Sequence, residues 1–194
     1  MAIQLRKGQN INLTKDAPSL VHTLVGLGWD ARGTDGADFD LDASCFLLGA
    51  SGKCRDDRDM VYYQPKFLAH FEGAVKHNGD NKTGAGEGDD ESIKVDLSKV
   101  SAAVEKIVFV VSIYDAVTRK QNFGMVNNAY IRLVNEDTGE EVCRADLSED
   151  FSIETSVCFA ELYRYNGEWK FKIVAQGYQA GLEKFVVDYG LEVE

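Results

Sequence analysis

Residues 157–176 read VCFAELYRYNGEWKFKIVAQ. Residues 157–165 and 168–176 are two strand-forming runs joined by Asn166-Gly167. Asn-Gly supplies the two positive-φ residues that a two-residue hairpin turn requires, and it is the strongest short-range hairpin signal. The stretch predicts an antiparallel pair, and the rest of the chain reads outward from it. Upstream, residues 107–114 (IVFVVSIY) form the most apolar run, rich in β-branched side chains, and read as a central strand. Residues 129–134 are a further strand, turned at 135–139 and paired back by 141–147.

The amino-terminal half continues the pattern. Residues 2–7 and 9–14 alternate apolar and polar (Ile3, Leu5; Ile11, Leu13) with a break at Gly8, which is strand periodicity. Ala17-Pro18-Ser19 is a turn, and residues 21–29 are apolar on both faces, as a buried strand is. Residues 38–48 read as a strand entering the core, 56–59 as an exposed charged loop, 60–64 as a strand and 92–97 as an alternating strand. Residues 96–104 suit one short helix, 116–126 are irregular, and 182–189 suit a second helix with Gly190 as its stop. The sum is an all-β sandwich of about ten strands with one or two short helices. With two prolines, no low-complexity linker and no repeat, residues 1–194 read as a single domain.

The net charge of −11 argues against nucleic acid, whose phosphates would be repelled, and against docking on an anionic membrane. It suits cations or a basic partner. The four cysteines (45, 54, 143, 158) form no CxxC pair and fit neither a zinc site nor a small disulfide scaffold. The amino terminus lacks the apolar run of a signal peptide, and no run approaches the roughly eighteen apolar residues of a membrane helix. A cytoplasmic protein with buried free thiols and no membrane insertion is expected.

The acids are clustered. Residues 77–91, HNGDNKTGAGEGDDE, hold Asp80, Glu87, Asp89, Asp90 and Glu91 against the single lysine Lys82. Glycines 79, 84, 86 and 88 let the backbone turn tightly and aim carbonyls inward. Carboxylates plus inward carbonyls suit a hard divalent cation, and Ca²⁺ best, because it accepts six to eight oxygens in loose geometry. A second stretch, 30–44, places Asp38, Asp40 and Asp42 in alternation with Phe39, Leu41 and Ala43. In a strand the three aspartates line one face, an arrangement costly without a positive partner. Counted from Asp80, Glu91 occupies the twelfth position of an EF-hand loop, but Lys82, Gly84 and Ala85 break that pattern at the third, fifth and sixth. An alternative is a metal-dependent phosphohydrolase, since Asp40-Leu41-Asp42-Ala43-Ser44 resembles the motif of aspartyl-phosphate phosphatases; that chemistry belongs on an α/β sheet. The GAGEG at 84–88 joins no strand to a helix and its carboxylate neighbours would repel pyrophosphate. Histidines 22, 70 and 77 lack metal-site spacing and read as packed or surface residues, with His77 bordering the loop.

Three strings together are similar to the TerD family of tellurium-resistance and stress proteins. They are Val25-Gly26-Leu27-Gly28-Trp29-Asp30, residues 38–44, and residues 79–91 with their GDNxTGxGxGDDE pattern. The segments 107–111, Tyr114-Asp115, Phe123-Gly124 and 161–170 fit as well, so the resemblance runs end to end. It implies a bacterial cytoplasmic β-sandwich that binds one or two Ca²⁺ ions, without enzymatic activity. It further implies partners among other tellurite-resistance proteins, including a membrane-embedded TerC-like protein. Carried over residue by residue, the implied ligands lie among Asp80, Thr83 (carbonyl), Gly88 (carbonyl), Asp90 and Glu91, joined by Asp30, Asp40 and Asp42, with Asp115 at a strand end. The two acidic stretches are expected to meet at one end of the sandwich.

Overall fold

In the computed structural model, which describes residues 2–30, 39–79, 81, 88–147 and 151–193, Asn166 and Gly167 take φ of 51° and 76°. That is the primed turn an Asn-Gly hairpin demands. Among the described residues the strands are β1 (Ile3–Gln4), β2 (Asn10–Asn12), β3 (His22–Asp30), β4 (Leu41–Leu48), β5 (Met60–Val61), β6 (Val75–His77), β7 (Glu91–Asp96), β8 (Lys106–Ile113), β9 (Asn127–Asn135), β10 (Glu141–Asp146), β11 (Ser156–Tyr165) and β12 (Glu168–Tyr178). They form two six-stranded sheets: sheet A in the order β1-β10-β9-β3-β7-β6, and sheet B in the order β2-β12-β11-β8-β4-β5. Neighbours are antiparallel except β1 and β10. The sheets face each other over a shared core, with Val25, Leu27, Ile93, Val95, Ile131 and Leu133 from sheet A against Ala43, Cys45, Ile107, Phe109, Val111 and Leu162 from sheet B.

Sheet B has a second buried face, which explains why residues 107–114 are apolar throughout rather than alternating. Phe46, Leu48, Val108, Val110 and Cys158 point away from the shared core and pack under the terminal helix α3 (Leu182–Asp188) through Phe185, with Tyr178 and Tyr189 alongside. The helix stops where expected. Gly190 takes φ of 82°, its N–H donates to Val187 O at 3.0 Å and that of Leu191 to Val186 O at 2.8 Å, the paired bonds of a glycine-terminated helix end. The other helices are single turns, α1 (Leu13–Asp16) and α2 (Ala116–Arg119).

Two expectations are corrected. Residues 96–104 form turns instead of a helix. Asp96 Oδ1 accepts the Ser98 N–H at 3.1 Å, Ser101 Oγ accepts the Ala103 N–H at 3.3 Å, and the Arg164 guanidinium donates to the carbonyls of Val100 and Val104 at 2.8 and 3.1 Å. Side-chain bonds of this kind compete with helical ones. Nor is the 56–59 loop wholly exposed: Asp59 is completely buried. The Arg55 fork grips it at 2.8 and 2.6 Å, the Arg55 N–H adds a bond of 2.7 Å, and His70 Nε2 lies 3.0 Å away.

In sheet A, exposed His22 at the start of β3 sits 2.9 Å from Asp137 Oδ1 in the β9–β10 turn. The hydrogen bond and charge of Asp137, helped by Asp96, hold its imidazole above the usual histidine range. The favourable contribution is present below pH about 6.5 and disappears as pH rises through the folded value. In Asp137→Asn the His22 titration midpoint, followed by NMR of the imidazole, will move down towards about 6.5.

Candidate metal centre

Three strand ends converge at one rim of the sandwich. β7 pairs with β3, placing Glu91 opposite Leu27, and its alternation (Glu91, Ile93, Val95 buried) turns Glu91 inward. Glu91 is 2% exposed. Its Oε2 accepts the Ala43 N–H of β4 at 2.5 Å, and its Oε1 accepts the Asn81 N–H at 3.2 Å. A carboxylate of one acidic stretch is thus bonded to the backbone of the other, across the two sheets. His77 supports the junction. The Gly79 N–H donates to His77 Nδ1 at 3.0 Å, which leaves the ring proton on Nε2 to donate to Ala43 O at 3.2 Å, with Glu91 Oε2 3.5 Å off.

Asp90 turns in as well. Its N–H donates to Leu27 O at 2.8 Å, its Oδ2 accepts the Trp29 N–H at 2.8 Å, and its Oδ1 accepts from Asn81 Nδ2 at 3.2 Å. Asp30 follows Trp29 at the end of β3, and its carboxylate accepts from Asn128 Nδ2. Burial raises the Asp90 pKa, and the charges of Asp89 and Asp30 add to the effect. Burial also raises that of Glu91, against the opposing bonds from His77, Ala43 and Asn81. Among the described residues no lysine or arginine is bonded to Asp30, Asp90 or Glu91 at this rim. Its donors are hard oxygens, and the one imidazole nearby spends its proton on a carbonyl, a set that fits Ca²⁺ better than zinc. Among the described residues no three such groups converge on one point. Asp80 and Thr83 lie outside the described residues.

The remaining expected ligands are arranged differently. Asp42 falls in the same alternation as Phe46 and Leu48, on the outer face of sheet B, while Ala43 faces the shared core. It is register-paired with Ser112, and both line an open cleft of about 330 Å³ with Asp115, Tyr63 and Glu183. Asp115 takes a left-handed conformation, φ 50°, as β8 passes into α2. The Asp40 carbonyl accepts the Tyr114 N–H at 2.8 Å and its carboxylate lies 3.9 Å from the Arg119 guanidinium. Asp42 and Asp115 thus line the outer cleft, with Asp40 beside Arg119 next to it, and Asp30, Asp90 and Glu91 stand around the inter-sheet rim. The Gly88 carbonyl accepts the Tyr130 hydroxyl at 2.9 Å on the outer side of sheet A. As for phosphoryl chemistry, β4 lies between antiparallel neighbours, not in the parallel α/β sheet that the aspartyl-phosphate motif needs. None of the four cysteines is in a disulfide. Burial pushes the thiols of Cys54, Cys143 and Cys158 up to about 12, which disfavours the thiolate.

Two mainly antiparallel sheets with carboxylates gathered at one rim, Glu91 buried among them, define an acidic-ended β-sandwich. The chain belongs to the TerD family: residues 1–189 match the TerD domain. It is 56% identical to the tellurium resistance protein TerD of Serratia marcescens over 98% of each chain. It is also 56% identical to general stress protein 16U of Bacillus subtilis (strain 168) over the whole of both. A solved homologue of telluride resistance protein from Streptomyces coelicolor A3(2) shares the fold, with a TM-score of 0.65 at 20% identity over 86% of this chain and 95% of that one. No described helix is long and apolar enough to cross a membrane.

Proposed function

We propose that this protein is a non-enzymatic Ca²⁺-binding member of the tellurite-resistance and general stress response, acting in the cytoplasm through protein partners. The observation that carries the reading is the inter-sheet rim, where buried Glu91 and half-buried Asp90 stand beside exposed Asp30 with no lysine or arginine bonded to them among the described residues. Bound Ca²⁺ supplies the missing positive charge. Asp30, Asp90 and Glu91 hold it from the described residues, with Asp80 and the carbonyl of Thr83 completing the shell, while the Gly88 carbonyl stays with Tyr130 on the outer side of sheet A. Asp40, Asp42 and Asp115 at the outer cleft are the candidates for a second ion. The residues' own part is to tie the sheets together: Glu91 bridges β7 to β4, and Asp90 pins the chain to β3. Closing that junction presents one end of the sandwich to partners such as other tellurite-resistance proteins and a membrane-embedded TerC-like protein.

The direct test is calorimetric titration of chelator-treated protein with Ca²⁺, alongside thermal melts. Saturable heat and a higher melting temperature are expected, since an ion that binds only the folded state stabilises it by about 2.7 kcal/mol at a hundredfold excess over Kd. Neither heat nor a melting shift at millimolar Ca²⁺ would end the reading. Pull-downs with and without chelator separate a calcium-dependent partner from simple ion buffering.

A further inference from the structure

Residues 89, 90 and 91 do not follow strand alternation. Side chains on a strand alternate between faces, so Asp89 belongs on the face that Glu91 uses. Glu91 points into the core, yet Asp89 lies on the opposite, outer face of sheet A. That face is identified by its neighbours: Gly26, Tyr130 and Arg132 alternate with the core residues Val25, Leu27, Ile131 and Leu133. An extension of β7 in simple register would turn Asp90 out with Ser92 and Asp89 in. Something outside must hold the chain in the other arrangement.

The outer face supplies it. Arg132 Nε and NH2 grip the two Asp89 oxygens at 2.7 and 3.1 Å, and its third nitrogen is held by Glu141 at 3.1 Å. Such a two-pronged fork fixes a carboxylate in direction as well as position. The Tyr130 hydroxyl is 2.9 Å from Gly88 O and 3.1 Å from Asp89 Oδ1, and the Arg144 guanidinium covers its ring at 3.7 Å. Space for the clamp comes from two glycines on β3. A Cβ at Gly26 would meet Asp89 Oδ2 at 2.1 Å, and one at Gly28 would meet the Tyr130 ring at 2.4 Å. These glycines are the register partners of Arg132 and Tyr130.

We propose that Arg132 and Tyr130 are positioning residues for the candidate metal centre: by clamping Gly88 and Asp89 to the outer face of sheet A, they turn Asp90 into the inter-sheet rim beside Glu91. The inference rests on the calcium reading above. It assigns control of ion affinity to two side chains on the far side of the sheet from the inward carboxylates.

The test uses the full chain with Arg132→Met, which keeps the stem and loses the fork, Arg132→Lys, which restores a single charged contact, and Tyr130→Phe, which removes one hydroxyl. Ca²⁺ affinity is read by calorimetry, and the hydrogen-exchange protection of the Asp90 amide, bonded to Leu27 O, is read by NMR without Ca²⁺. Arg132→Met should weaken Ca²⁺ binding about 10- to 100-fold and lower Asp90 protection, while protection in the middle of β7, at Ile93 and Val95, stays as in the wild type. Arg132→Lys should recover part of both losses, and Tyr130→Phe should lose less than Arg132→Met. Wild-type affinity and wild-type Asp90 protection in Arg132→Met and Tyr130→Phe would overturn the proposal, as would equal loss of protection along all of β7. If the unsubstituted protein takes up no Ca²⁺, the calcium reading falls and the clamp is judged on the Asp90 amide.

Discussion

Asp59→Ala will lower the free energy of unfolding by about 3 kcal/mol, read as a drop in the urea midpoint at unchanged slope. Asp59 is fully buried and receives two bonds from the Arg55 side chain, one from the Arg55 backbone and one from His70. Removing it strands the buried imidazole, whereas Arg55 keeps Glu72 at 3.3 Å and partial access to water. That residual pairing places the loss at the low end of the range for a broken buried pair. Burial by itself would raise the Asp59 pKa, but the bonds from Arg55 and His70 outweigh it and hold the carboxyl well below the usual carboxylate range. The contribution is therefore complete above pH about 3.9, the unfolded value, and is lost as pH falls through the folded one. The gap between wild type and Asp59→Ala should be constant from pH 5 upward and shrink only in strong acid. A gap that closes near neutrality would contradict the assignment.

The second large effect concerns the rim. Glu91→Gln will remove most of the Ca²⁺-dependent stabilisation, about 2.7 kcal/mol at a hundredfold excess over the wild-type Kd. The amide oxygen can still accept the Ala43 N–H, so the tie between sheets persists, while the Asn81 N–H loses its acceptor and the calcium-free protein should melt a little below the wild type. What disappears is charge: a hard cation gains far less from a neutral amide than from a carboxylate. Melting curves of both proteins with chelator and with millimolar Ca²⁺ give the answer; an undiminished shift in Glu91→Gln would take that residue out of the site.

Much of the scaffold could be read from local rules. Asn166-Gly167, the run at 107–114, the hairpin around 135–139 and the Gly190 stop each depend on a few adjacent residues, and each stands in the structure. Readings that depended on distant partners fared worse. The 96–104 segment has helix-compatible composition, but its carbonyls are claimed by Arg164, sixty residues on. Asp59 reads as solvent-exposed until Arg55 and His70 are seen to enclose it. That Asp40 and Asp42 share a face was plain from their spacing, but which face it is depends on which sheet β4 joins. The Arg132–Asp89 fork left no trace in either residue's own neighbourhood; the glycines at 26 and 28 were its only written sign.

The two walls of the sandwich differ in what they permit. In β4 every residue is buried and in β8 all but Lys106, because α3 and the shared core cover opposite sides of sheet B. In β7 and most of β9 the outward positions stay partly open to water. Tolerance of substitution should accordingly be lopsided: alternate sites on β7 and β9 can vary in polarity with little penalty, whereas β4 and β8, covered on both sides, allow almost no such freedom.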